Sequence, residues 1–251
     1  MAILEVEGLG KRFGGLAAVD DLSFRVEPGE IRGLIGPNGA GKTTIFNVIS
    51  GFYAPTAGRV VYDGRDISGL RAHRIAALGL VRTFQASLLF QEMTVLENVL
   101  VGRHLRAPVS LWDALSGRGR ATEQAAEAHA LEVLATLDLA ERRDEATVNL
   151  PHGLQRVLGI AVALAAEPKV VMLDEPFTGM NVEETRVMME HIRAVRARGV
   201  TILLVEHDMQ AVMGLCDRIT VLNFGRLLAE GTPEEIRRHP DVIEAYLGAA
   251  A

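Results

Sequence analysis

The chain has one cysteine, Cys216, one tryptophan, and only three lysines (Lys11, Lys42 and Lys169) among its 26 basic residues. A lone cysteine excludes an intrachain disulfide framework and fits a reducing compartment. Long apolar runs are missing too. The longest nearly apolar stretch, Val157 to Ala166, is ten residues, about half of what a membrane-spanning helix needs. The opening Met-Ala-Ile-Leu-Glu-Val-Glu has no basic region and no apolar core, so no signal peptide is expected. Nor is there an excess of positive charge: 26 basic against 32 acidic residues give a net −6, which argues against a general nucleic-acid-binding surface. What remains is ordinary for a folded domain, with 49% apolar and 23% charged residues in 251. That length accommodates one large domain, or a large lobe with a smaller helical one. Glycine is in surplus, at 25 residues, so the places where it concentrates are informative.

The first third reads as strands, Ile3 to Val6, Leu22 to Val26, Ile31 to Ile35 and Arg59 to Tyr62, with a turn at Glu27-Pro28-Gly29-Glu30. A helix is predicted from Lys42 to Ile49, ending at Gly51. From about 86 to 160 the character changes. Alanine, glutamate and leucine dominate Thr122 to Leu139, with Leu131, Leu134 and Leu137 at helical spacing, and Ser116-Gly117-Arg118-Gly119-Arg120 reads as an exposed loop. Strand–helix alternation then resumes. Val170 to Leu173 and Thr201 to Val205 are apolar or nearly so, as buried parallel strands require. Met188, Ile192 and Val195 mark the buried stripe of the helix between them. Ile219 to Leu222 and Arg226 to Glu230 read as a hairpin.

The glycines concentrate after one of those strands. Gly36-Pro37-Asn38-Gly39-Ala40-Gly41-Lys42-Thr43 matches G-x-x-x-x-G-K-[ST], following an apolar strand and opening a helix. Such a loop turns backbone N–H groups inward around phosphate oxygens while the helix that starts at Lys42-Thr43-Thr44 aims its positive end at the same anion. Lys42 supplies a point charge to the β- and γ-phosphates, and Thr43 a hydroxyl to Mg²⁺. The complementary half is Val170-Val171-Met172-Leu173-Asp174-Glu175, where Asp174 ends a buried strand within reach of the metal and Glu175 is placed to polarise a water. None of the three lysines follows an asparagine, so the Asn-Lys-x-Asp guanine reader is missing and a GTP-specific switch is not expected.

With these motifs in order, the chain resembles the ATP-binding subunits of ABC transporters over essentially its whole length. The resemblance implies an α/β fold: a P-loop NTPase core with a mixed, largely parallel sheet and an antiparallel β subdomain, formed by 1–85 and 161–251, and a helical subdomain, 86–160. It also implies roles. Phe13, in Lys11-Arg12-Phe13-Gly14-Gly15, stands where the family stacks an aromatic on adenine. Gln85 matches the glutamine that touches Mg²⁺ or water and senses the membrane partner, and His207, in Val205-Glu206-His207-Asp208, the histidine that contacts the γ-phosphate. Asn181, in Phe177-Thr178-Gly179-Met180-Asn181, holds a position where many relatives carry aspartate, at a dimer contact. The family's Leu-Ser-Gly-Gly-Gln signature, which caps a nucleotide held by the other subunit, reads here Leu150-Pro151-His152-Gly153-Leu154-Gln155. Pro151 offers neither hydroxyl nor N–H, although it is acceptable at a helix start. The departure implies that the site capped by Pro151, His152 and Gly153 is weaker or non-hydrolytic.

The tail narrows the resemblance. Gly231-Thr232-Pro233-Glu234-Glu235-Ile236 and Pro240 to Gly248, with Thr94 to Val99, look like subunits of high-affinity branched-chain amino acid importers; urea, amide and lipopolysaccharide-export systems share parts of the pattern. The implied partners are two membrane permeases, a second ATPase subunit (a paralogue favoured over self by the one-sided signature change) and, indirectly, a secreted solute-binding protein, with the chain at the cytoplasmic face of the membrane. Two rival readings are weaker. A soluble nucleic-acid ATPase of this family needs a long coiled coil or a second cassette, and a catalytically dead regulatory subunit would not keep Lys42, Asp174, Glu175 and His207 together.

Overall fold

A computed structural model describes residues 1–83, 89–103 and 118–247 of the chain. Gln85, Ser116, Gly117 and Gly248 lie outside the described residues. The described part holds two sheets. Strands β1 (Leu4–Phe13), β2 (Leu16–Val26), β4 (Ala57–Tyr62) and β5 (Arg65–Asp66) form an antiparallel sheet in the order β2-β1-β4-β5. The first two strands run further than expected, so Phe13 ends a strand, paired with Leu16 across a two-residue turn. The second sheet contains β3 (Ile31–Ile35), β6 (Leu80–Arg82), β7 (Val170–Asp174), β8 (Thr201–Val205), β9 (Arg218–Asn223) and β10 (Arg226–Gly231). Its order is β10-β9-β3-β8-β7-β6, parallel except for the β9–β10 hairpin at one edge.

Among the described residues the α-helices are α1 (Lys42–Ile49), α2 (Ala72–Leu78), α3 (Val95–Arg103), α4 (Arg118–Thr136), α5 (His152–Ala165), α6 (Val182–Ala197), α7 (Met209–Leu215), α8 (Pro233–Arg238) and α9 (Pro240–Leu247). Arg118, Gly119 and Arg120 therefore belong to a helix, correcting the expected loop; the alanine-rich segment that follows outweighs one glycine costing about 1 kcal/mol. Met188, Ile192 and Val195 of α6 are buried as their spacing predicts. Two apolar clusters flank the parallel sheet. One joins β3, β7 and β8 to α3, α4, α5 and α6; the other joins the opposite sheet face to α1 and the antiparallel sheet. Ile31 to Ile35 is not uniformly apolar: Arg32 is buried, held by Glu30 at 2.8 Å and Glu230 at 3.0 Å, which compensates its charge inside the fold. No helix of the described residues is long and apolar enough to cross a membrane.

Candidate functional site

The parallel register decides which distant residues meet. Leu34 of β3 pairs with Val205 of β8, and Val205 pairs with Asp174 of β7. Residues one or two beyond that row, Gly36, Glu175 and His207, therefore leave the sheet at one edge, the carboxyl ends of its strands, where open α/β sheets bind ligands.

The glycine loop fills the first of these positions. Gly36 closes β3 against β9, where any side chain would meet the Leu222 carbonyl. Gly41 caps α1 with φ +97°, and a Cβ there would lie 2.6 Å from the Ala18 carbonyl oxygen, so both the left-handed backbone and the close approach require glycine. Ala40 N–H donates to Pro37 O at 3.1 Å, closing the turn. Lys42 begins α1 and folds back: its Nζ donates to Gly36 O at 2.6 Å and Pro37 O at 3.0 Å. Only 8% of the residue is exposed. Burial draws the Lys42 pKa down from the ordinary lysine value, and the negative charge of Glu175 opposes that shift. Asn38, Gly39 and Thr43 are exposed on the open side of the loop, with Thr44 half-buried beside them.

Asp174 ends β7 and Glu175 follows it. Asp174 is largely buried and bonded through Oδ2 to Arg82 Nη2 at 2.6 Å. Glu175 has φ +47°, an uncommon conformation for a side chain of this size, and one that tends to occur where structure is imposed by function. Its N–H is fixed by Val205 O at 2.9 Å and its Oε2 accepts from Thr178 Oγ1 at 3.2 Å. His207, on the turn after β8, places Nδ1 4.0 Å from the same Oε2. Beside His207 lies Glu206, fully buried, which accepts from the backbone N–H of Phe177 at 2.8 Å and of His207 at 2.9 Å. Burial raises its pKa, and these N–H donors work against the rise.

Phe13 is half-exposed and meets Tyr53 edge-to-face, ring centres 5.3 Å apart, with Lys11 Nζ 5.0 Å from the Phe13 ring centre. Pro151 caps α5 without a side-chain hydrogen bond, and Gly153 follows on its first turn beside His152. A cleft of about 950 Å³ runs between this helix end and the strand ends; Arg82, Pro151, Gly153, Asp174, Glu175 and Gly179 line it. Asn181 caps α6, accepting from Glu183 and Glu184 N–H at 3.0 Å each, while the Glu184 carboxylate accepts from the Asn181 N–H at 2.9 Å. Asparagine and aspartate cap helices equally well, so local structure tolerates the asparagine.

The donors near the strand ends are oxygens: the Thr43 hydroxyl and the Asp174 carboxylate. They suit a hard cation such as Mg²⁺. Among the described residues no group of three or more His, Cys, Asp or Glu side chains is placed to hold a metal. Sequence reasoning missed three residues in this region. Glu206 was legible as a carboxylate directly after a nearly all-apolar strand. Tyr53 and Arg82 carried no local signal, because their partners are 30 or more residues away.

A profile described as "ABC transporter" matches residues 19–178, and one described as "Branched-chain amino acid ATP-binding cassette transporter" matches residues 226–251. The chain is 46% identical to the high-affinity branched-chain amino acid transport ATP-binding protein BraF of Pseudomonas aeruginosa, covering 99% of this chain and 98% of the relative. It is 47% identical, with the same coverage, to the corresponding protein LivG of Escherichia coli. A crystal structure of the ADP conformation of an ATP-binding cassette of an ABC transporter superposes with a TM-score of 0.87 at 32% identity over 99% of both chains. A nucleotide-free cassette from an ABC transporter superposes with a TM-score of 0.86 at 33% identity.

Proposed function

Because the chain belongs to the ABC transporter ATP-binding family, we propose that it is the ATP-hydrolysing subunit of a branched-chain amino acid importer, working at the cytoplasmic face of the membrane with separate permease subunits. The observation that carries the solute class is the match of residues 226–251 to the branched-chain amino acid branch, supported by 46–47% identity along the whole length of BraF and LivG.

In this reading the phosphates of ATP lie against the N–H groups of Gly36 to Thr44, and Lys42 turns its ammonium from the Gly36 and Pro37 carbonyls to the β- and γ-phosphates. Thr43 and Asp174, with Gln85, would hold Mg²⁺, which would supply charge neutralisation to the phosphates. Glu175 accepts the proton of a water aligned for in-line attack, and His207 donates to the γ-phosphate. Glu206 sets the position of both neighbours by holding the Phe177 and His207 N–H groups. ATP joins two ATPase subunits, a paralogue being the favoured partner, through Pro151 to Gly153 and Asn181; hydrolysis to ADP and phosphate lets them part. The helical subdomain, 86–160, passes this motion to the permeases, and a secreted binding protein delivers the solute. Helix α5 crosses the subdomain boundary at 160 without a break, which suits it to carry that motion.

The reading is tested by reconstituting the chain with its permeases, partner ATPase and binding protein in vesicles. ATP-dependent uptake of labelled leucine, competed by isoleucine and valine, is the expected result; uptake of urea or an amide instead would reassign the solute. At the nucleotide itself, Phe13→Ala removes the stacking face beside Tyr53. ATP affinity should fall roughly 5–10-fold, for an aromatic contact worth about 1 kcal/mol or slightly more, as read by titration of a fluorescent ATP analogue; unchanged affinity would release Phe13 from that role.

A further inference from the structure

Arg82 has a side chain 7% exposed, ends β6, and reaches across the sheet edge rather than into solvent. Nη2 donates to Asp174 Oδ2 at 2.6 Å, and Nη1 donates to Asn47 Oδ1 at 2.7 Å and Ser50 Oγ at 3.2 Å, both on or beside the helix that follows the glycine loop. The rings of Phe46 and Phe52 lie 5.6 and 5.8 Å from the guanidinium carbon. A planar cation with several fixed donors is thus locked between the acidic strand end and α1.

From this geometry we infer that Arg82 is a positioning residue that acts as the resident counter-cation of Asp174: it neutralises and orients the carboxylate while no nucleotide is bound, and so keeps a divalent cation out until the cation arrives with phosphate ligands. The inference rests on the reading of Asp174 as a metal-site residue. Its physical basis is simple. A largely buried carboxylate must be paired, and a fixed positive charge in contact with it weakens its attraction for a second cation. Only one Asp174 oxygen is given to Arg82 by the 2.6 Å bond, so Oδ1 stays available for the metal's shell once a triphosphate contributes its own oxygens. The pair also joins Asp174 to Asn47 through one guanidinium, so the acidic strand end and the phosphate-loop helix share a support three residues before Gln85.

The test uses the full chain and Mn²⁺, with free Mn²⁺ read by electron paramagnetic resonance, without nucleotide and with saturating ATP. Arg82→Met keeps the aliphatic stem between the two rings, and Arg82→Gln keeps a donor for Asn47; both remove the charge. Without nucleotide, each should bind Mn²⁺ about tenfold more tightly than the unaltered chain, as expected for loss of one adjacent charge in a partly screened site, and Mn²⁺ should raise the melting temperature of each variant more than that of the unaltered chain. The melting measurement covers the case in which unpaired Asp174 leaves one variant poorly folded. Arg82→Met combined with Asp174→Asn should lose the gain. Equal or weaker Mn²⁺ binding by the single variants would overturn the inference. If instead Asp174→Asn alone leaves Mn²⁺ binding in the presence of ATP unchanged, the reading of Asp174 itself fails.

Discussion

Glu175→Gln should lower ATP turnover by at least about 10²-fold, the usual range for loss of a general base, while ATP binding is retained and ATP-bound dimers accumulate. Glutamine is nearly isosteric, its amide oxygen can accept from Thr178 Oγ1 in place of the carboxylate, and the Val205 anchor of the backbone is kept, so the φ +47° turn should survive. What it loses is the capacity to take a proton. Glu175 is also the negative charge that opposes the fall in the Lys42 pKa, and its neutralisation removes that opposition without removing the lysine. Steady-state phosphate release measures the first effect and light scattering or sedimentation with ATP the second. Undiminished turnover would remove Glu175 from the role of base; a parallel loss of ATP binding would show that its charge serves the ground state.

Lys42→Ala should weaken ATP binding by about 10–10²-fold, in keeping with about 1.5–3 kcal/mol for a charge-assisted hydrogen bond, with hydrolysis falling at least as far. The ammonium is already desolvated and held by two loop carbonyls, so transfer to phosphate exchanges one buried set of acceptors for a more negative one. The same burial fixes a pH dependence. The folded-state pKa is lowered, and the charged form is the one that binds phosphate. ATP affinity should therefore decline as pH rises, beginning below the ordinary lysine value of 10.5, and this alkaline limb should vanish in Lys42→Ala. Titration of the same fluorescent analogue across pH separates the two: a limb that persists without Lys42 belongs to another group.

Much of this site was legible in the chain because its requirements are local. Gly41 needs a left-handed backbone, Lys42 must open a helix, and Asp174 and Glu175 must end an apolar run; each leaves a mark within a few residues. Asn181 shows the reverse. It looked like a departure at a dimer contact, whereas within the chain its side chain is the cap of α6, a function asparagine performs as well as aspartate. The loop expected through Arg120 was misread because glycine and arginine suggested a turn, and the alanine-rich segment beyond it carried helix back to Arg118.

By itself the sequence determined the α/β alternation, the phosphate loop and the order of Asp174, Glu175 and His207, since strand and helix periods and glycine conformations are properties of short segments. Only the tertiary structure decided that Arg82 meets Asp174 and Asn47, that Glu206 holds Phe177 as well as His207, and that Tyr53 stands against Phe13. Those contacts join segments separated by 29 to 92 positions. They follow from which strands pair, in which register, around a shared apolar core, and no local pattern carries that register.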